Sequence, residues 1–285
     1  MKYDLCMEIT VNKKCNFNCE YCFDNKLKFK IKNRLKRVAG MNFLSDMDIY
    51  KFVRKIEKLD KKCLVSITGG EPFLFPQFIK LCQLLTIKNH IDITTNLSSK
   101  KIYQFADTIN PKKVEIMYIS FHPEKLGQLN LIDDFISKVQ YLKKKGFKTR
   151  VSYVMYPPLL KRFEKDYEFL KSWDIKIEPK KYRGKFNGKN YPSAYTKNEM
   201  KLLRKYMTKE RKKLLDMNFN LKGRKCLTGK NSIVINQEGQ IFRCWGDQKP
   251  MGNFIKGEIN LNSAAKPCQV DECKCPTEAA RWVQK

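Results

Sequence analysis

The 285-residue chain is 42% hydrophobic and 12% aromatic, a globular mixture that excludes a disordered protein and suffices for one large core with a small appendage. No apolar run approaches the roughly 18 residues of a membrane span. The opening MKYDLCMEITVNKKC lacks an apolar signal core, so a cytoplasmic protein with no membrane partner is expected. Lysine and arginine outnumber aspartate and glutamate by 58 to 29, a net charge of +29. That excess suits an acidic partner such as nucleic acid, a phosphorylated substrate or an acidic peptide, or else it is lysine used as a solubilising residue on every helix.

In chain order, strand-like runs cover 5–11, 64–70, 90–96, 115–121, 148–155 and 175–179. Amphipathic stretches lie between them near 45–59, 76–86, 99–109, 129–145 and 159–172. Ser45 followed by Asp48 resembles a capping-box start, and Gly146 closes the fourth helix as a C′ glycine would. Such alternation implies parallel strands joined by crossover helices. Six units fall two short of a closed eight-stranded barrel. The expected fold is therefore α/β, a partial (β/α)6 TIM-like barrel over 1–180, with its chemistry on the loops after the strands' C-terminal ends. Beyond it come a basic loop and linking helix over 181–225, the helix near 197–215, and a cysteine-rich extension over 226–285. That extension opens with a β-hairpin turning near Glu238-Gly239.

The loop after the first strand reads CNFNCEYC and places Cys15, Cys19 and Cys22 within eight residues. Structural zinc takes four ligands, usually as two separated pairs. Three thiolates on one loop suit an iron–sulfur cluster with one iron left for another ligand, although the loop alone leaves zinc open. The second strand ends in TGGEP, where Gly69 and Gly70 allow close backbone approach and Glu71 adds an acceptor.

A C-x3-C-x-aromatic-C loop one unit before such a turn resembles the radical S-adenosylmethionine (SAM) superfamily. The resemblance implies a [4Fe-4S] cluster on Cys15, Cys19 and Cys22 whose fourth iron is chelated by the methionyl group of SAM. An electron from the cluster would then break a C–S bond of SAM, and the 5′-deoxyadenosyl radical so formed would take a hydrogen atom from the substrate. It implies that Gly69, Gly70 and Glu71 receive the SAM amino group and that Tyr21 lies against the adenine. Asn96 and Ser120, at the ends of the third and fourth strands, become contacts for the ribose or methionine carboxylate, or else turn and packing residues. His122, in SFHPE, is either packed or an acid–base group facing the substrate. A reductant such as flavodoxin or ferredoxin is implied as a partner.

The tail carries Cys226, Cys244, Cys268, Cys273 and Cys275 in a segment with little apolar material, which favours stapling by metal. Its C-x(n)-G-x4-C opening resembles the SPASM and Twitch extensions, closer to Twitch because five cysteines suffice for one auxiliary [4Fe-4S] cluster. Cys226 and Cys244 with two of the other three would hold it; zinc is the alternative. Two basic stretches flank the expected mouth. Lys26, Lys28, Lys30 and Lys32 alternate with apolar residues, and Lys180, Lys181, Arg183, Lys185 and Lys189 interleave with Tyr182, Phe186 and Tyr191. The expected function is C–H activation in a polar, anionic substrate. Peptide maturation, RNA modification and a non-catalytic nucleic-acid-binding module are the alternatives.

Overall fold

The computed structural model describes residues 2–22, 49–215, 220–270, 273 and 282–283. The capping-box residues Ser45 and Asp48, the alternating lysines from Lys26 to Lys32, and Cys275 lie outside the described residues. No helix among those described is long and apolar enough to cross a membrane.

Six strands form the framework: β1 (Leu5–Thr10), β2 (Cys63–Thr68), β3 (His90–Thr95), β4 (Val114–Phe121), β5 (Thr149–Met155) and β6 (Ile177–Lys181). Each pairs in parallel with the next. The helices between them are α1 (Ile49–Glu57), α2 (Phe78–Lys88), α3 (Lys101–Thr108), α4 (Pro123–Gln128), α5 (Ile132–Lys144) and α6 (Phe163–Ser172). This is the open α/β partial barrel that the alternation predicts. Gly146 has φ +85°, and its NH and that of Phe147 return to the carbonyls of Lys143 and Leu142, so α5 ends as expected. Among the described α-helices between the strands, the short helix α4 is the one not anticipated. Pro123 starts it, where a missing NH is harmless.

The two faces of the sheet differ sharply. On one, Met7, Ile9, Val65, Ile67, Ile93 and Ile119 are essentially inaccessible beneath the helices. Each contributes about 1.5–3 kcal/mol on burial. On the other, registered rows run Glu8–Ser66–Asp92, Thr94–Tyr118–Arg150 and Ser120–Ser152–Glu178. Parallel strands packed on both faces read as nearly continuous apolar runs. These alternate, because their second face lines a polar lumen.

After β6 comes a two-stranded hairpin, β7 (Gly184–Phe186) and β8 (Lys189–Tyr191). The single basic helix expected near 197–215 is two: α7 (Lys197–Tyr206), with a Thr196–Glu199 capping box, and α8 (Lys209–Leu215). Thr208 breaks them apart by accepting from the Arg211 NH at 3.3 Å. In the tail, β9 (Lys225–Cys226) is followed by β10 (Ser232–Ile235), β11 (Gln240–Cys244), β12 (Asp247–Asn253), β13 (Glu258–Ile259) and β14 (Lys266–Pro267). The β10–β11 hairpin turns at Gly239, whose φ is +76°. Strand β10 pairs in parallel with β1, so the tail extends the barrel's sheet to ten strands, ordered β13-β12-β11-β10-β1-β2-β3-β4-β5-β6.

Candidate active site

The cysteine loop leaves the C-terminal end of β1 and is docked on the turn after β2. Gly70 N donates to Asn12 O at 2.9 Å and Glu71 N to Lys14 O at 2.7 Å. The buried Asn12 side chain returns a bond to Glu71 O at 3.0 Å. A Cβ on Gly70 would lie 2.2 Å from Lys14 O, and one on Gly69 2.7 Å from Asn12 O. The close approach that these glycines permit is therefore to the backbone of the cysteine loop itself.

Glu71 is fully buried. Its Oε1 accepts from Thr95 Oγ1 at 2.7 Å and Phe73 N at 3.2 Å, and its Oε2 from Asn96 N at 2.7 Å. Burial pushes its carboxyl up to about 7 against these three donors. The carboxylate thus ties the end of β2 to that of β3. Asn96 carries the tie onward: its Nδ2 donates to Asn16 Oδ1 at 3.1 Å and stands 3.7 Å from Cys15 Sγ. Its Oδ1 accepts from Ser98 N and Ser98 Oγ. The fully buried Lys138 of α5 donates to Ser98 O at 3.1 Å and pairs with Asp134, supporting the same loop from behind.

On the loop's other side, Nδ1 of His122 lies 3.5 Å from Cys19 Sγ and 3.1 Å from the Tyr21 hydroxyl. The ring is edge-on to Phe17 and stacked near Tyr21, both at 5.7 Å. Burial, with the charge of Lys180 adding to it, lowers His122 to about 4 and keeps it neutral at pH 7. Tyr21 is buried and packs on Tyr156 at 5.3 Å. Tyr156 in turn packs on Tyr182 and Phe186, linking the cysteine loop to the β7–β8 hairpin. Ser120 lies on the lumen face, in register with Ser152. The structure thus gathers Cys15, Cys19, Tyr21, Gly69, Gly70, Glu71, Asn96 and His122 at one end of the barrel.

Residues 9–170 match the radical SAM superfamily, more than half of the chain. The chain belongs to the radical SAM superfamily. It is similar to the GTP 3′,8-cyclase of Aliarcobacter butzleri, 29% identical over 212 residues, covering 69% of this chain and 61% of that protein. The enzyme of the same name from Staphylococcus epidermidis is 23% identical over 222 residues, covering 68% and 59%. The match thus spans about six-tenths of these relatives' length. Among solved structures, anSMEcpe with bound S-adenosylmethionine superposes with a TM-score of 0.63 at 19% identity, over 90% of this chain and 81% of that one. Streptococcus suis SuiB gives 0.60 at 16%, over 92% and 66%. Both show the shared fold.

Membership of the superfamily implies a [4Fe-4S] cluster and SAM as cofactors. The donor set fits such a cluster. A cubane takes one thiolate per iron, and Cys15, Cys19 and Cys22 supply three on one loop. Phe17 N donates to Cys15 Sγ at 3.4 Å, the kind of NH–sulfur contact that tunes a cluster's potential. Burial raises the Cys19 thiol to about 12, and Cys15 is raised for the same reason, so both must surrender a proton to bind iron.

In the tail, Cys226, Cys244, Cys268 and Cys273 line one cleft. Cys6, Glu8 and Ser66 of the barrel share its lining. Cys6, given no role by the sequence, therefore shares a cavity with four tail thiols. The basic loop divides: Lys181 ends β6 on the helix-facing parity, and Arg183 and Lys185 belong to the hairpin region, Lys185 being exposed. Reading the sequence for motifs found Lys180 as part of the basic loop but missed its lumen neighbours Arg150 and Glu178. Their signal was the polar member of each alternating pair in KTRVSYVM and IKIEPK.

Proposed function

We propose that the chain cleaves SAM reductively at a [4Fe-4S] cluster held by Cys15, Cys19 and Cys22, and activates a C–H bond of a polar, anionic substrate in the barrel lumen. The observation that carries this is the three-thiol loop seated on the Gly69–Glu71 turn and opening on a polar lumen. When bound, the cluster and SAM supply the electron and the 5′-deoxyadenosyl radical. The protein's part is positional. Glu71, Thr95 and Asn96 fix the two strand ends, Asn96 and Phe17 N approach the Cys15 sulfur, and His122 and Tyr21 hold the Cys19 side. Gly69 and Gly70 let the cysteine loop's backbone pack directly on the turn that would receive the SAM amino group.

We divide the chain into a radical SAM barrel over 1–180, a basic connection over 181–225 and an auxiliary-cluster region over 226–285. Cys226 and Cys244, with two of Cys268, Cys273 and Cys275, would hold the second cluster, facing the lumen across the shared cleft. Flavodoxin or ferredoxin is the proposed electron donor. The similarity to enzymes named GTP 3′,8-cyclase makes a nucleoside triphosphate the first substrate to try. Anaerobic reconstitution with SAM and dithionite should yield 5′-deoxyadenosine and methionine. A fully iron-loaded protein that forms neither product overturns the reading.

A further inference from the structure

We infer that Arg150, Lys180 and Arg211 form an oxyanion-binding site on the lumen face of β5 and β6, which receives a phosphate or carboxylate group of the substrate. The inference rests on the reading of the lumen as the substrate chamber and assigns its anion subsite.

Strand parity and register bring the groups together. Arg150, Ser152 and Val154 of β5 lie on the lumen face, and Glu178 and Lys180 of β6 pair with Ser152 and Val154. Alternate residues on one face stand about 6.6 Å apart along a strand and neighbouring strands about 4.8 Å apart. Arg150 and Lys180 therefore flank Glu178. The third cation comes from α8: Arg211 Nε lies 2.7 Å from Glu178 Oε2, while Arg150 Nε lies 3.8 Å from Oε1. The Arg150 guanidinium also stands over the Tyr118 ring at 6.0 Å.

Among the described residues three cations surround one carboxylate, leaving two positive charges in excess in a half-buried setting. A structural ion pair needs no such surplus, because an uncompensated buried charge carries a large desolvation cost. It persists where a ligand brings the missing negative charge. Burial and the charges of Arg211 and Arg150 hold Lys180 down to about 8, opposed by Glu178, and a bound oxyanion relieves that repulsion. Across the sheet the sign reverses: Glu8 and Asp92 lie in one row on β1 and β3, so an anion is steered away from that wall. Lys180, near the C-terminal end of β6, extends the site toward the cluster's end of the lumen. The charge of Lys180 reaches His122, which is 3.5 Å from Cys19. Exposed cations elsewhere lack this enclosure.

Reconstituted protein is titrated calorimetrically with inorganic pyrophosphate and, separately, with succinate. The two probes distinguish a phosphoryl from a carboxylate source. At least one should bind. Arg150→Gln and Arg211→Gln should each weaken that binding about ten- to hundred-fold, the range expected for one charged hydrogen bond. Glu178→Gln should instead tighten it several-fold by removing the competing carboxylate, a gain that damaged packing does not produce. Lys165→Gln with Lys201→Gln, on exposed helix faces, controls for net charge and should leave binding unchanged. Neither probe binding, Glu178→Gln weakening binding, or the control pair losing as much as the lumen variants overturns the inference. SAM cleavage by the same wild-type preparation separates the two readings: cleavage without anion binding removes this site alone. Anion binding without cleavage removes the proposed function and leaves the site standing.

Discussion

The two cysteine regions are built in opposite ways. The loop of Cys15, Cys19 and Cys22 is short, and the ends of β2, β3 and β4 all bond to it, so its shape follows from the barrel. The described tail cysteines are spread from Cys226 to Cys273 and meet only as the lining of a cleft. Their chief organiser is the buried Arg243, which donates to the carbonyls of Cys226, Lys266 and Pro267. One site is shaped by the fold before metal arrives; the other resembles a fold that metal completes. Loading and stability should therefore separate in the two regions.

The largest effect tests the first region. Replacing Cys15, Cys19 and Cys22 together by alanine should abolish 5′-deoxyadenosine formation and reduce iron from about eight to about four per chain, counting two four-iron clusters. The thermal midpoint should move little, because the barrel core does not depend on these thiols. Undiminished cleavage would falsify the cluster assignment. Reconstitution at pH 6 should also load the loop less completely than at pH 8. Cys19, raised to about 12, holds its proton throughout that range, so each step down in pH strengthens proton competition with iron.

The next effect tests the second region. Cys226→Ala should likewise remove about four irons, but with a clear fall in thermal midpoint and faster proteolysis of the tail. SAM cleavage without substrate should fall far less than in the triple variant. One tightly bound zinc together with about four irons in the wild-type protein would instead make the tail a zinc site.

A smaller effect concerns the tie beneath the loop. In Glu71→Gln the amide NH2 must face a donor that the carboxylate accepted, Asn96 N or the Thr95 hydroxyl. Stability in denaturant should fall by about 1–3 kcal/mol, the cost of an unsatisfied buried donor. The pH dependence gives a second readout. The folded pKa of Glu71 is raised above its ordinary value, so its stabilising contribution is complete below about 4.5 and declines as pH rises through about 7. Glu71→Gln should remove that part of the slope. An unchanged profile would show that the three donors hold the carboxylate ionised throughout.

The sequence announces the barrel because its strands alternate cleanly and Gly146 closes the long helix before β5. It announces the cysteine loop because both halves of that site are contiguous: CNFNCEYC on one strand end and TGGEP on the next. What it conceals comes from long-range pairing. Nothing local says that β10 lies beside β1, which is what brings Cys6 to the tail thiols. Nothing local says that Glu71 turns toward Thr95 and Asn96. Arg211 joins Glu178 only because Thr208 divides a basic stretch into two helices. Lysine is so abundant here that charge alone groups Lys180 with the exposed loop, and strand register is needed to set it apart on the lumen face.

The smallest effect belongs to that loop, which lies between the two regions in the chain. Lys185 is exposed, whereas Lys180 and Arg211 are enclosed. Exposed charges act through solvent and are screened over about 8 Å at physiological salt, while enclosed ones are screened much less. Reversing Arg183 and Lys185 to glutamate should therefore raise the substrate KM several-fold at low ionic strength, with the difference shrinking as salt is added. The lumen variants should keep their defect in high salt. A hairpin double variant whose KM defect persists at high salt would place these two residues in direct contact with substrate, and the lumen would then share its anion with the mouth of the barrel. A variant indistinguishable from Lys165→Glu with Lys201→Glu would reduce the hairpin's charge to composition, leaving the substrate's negative charge to the lumen alone.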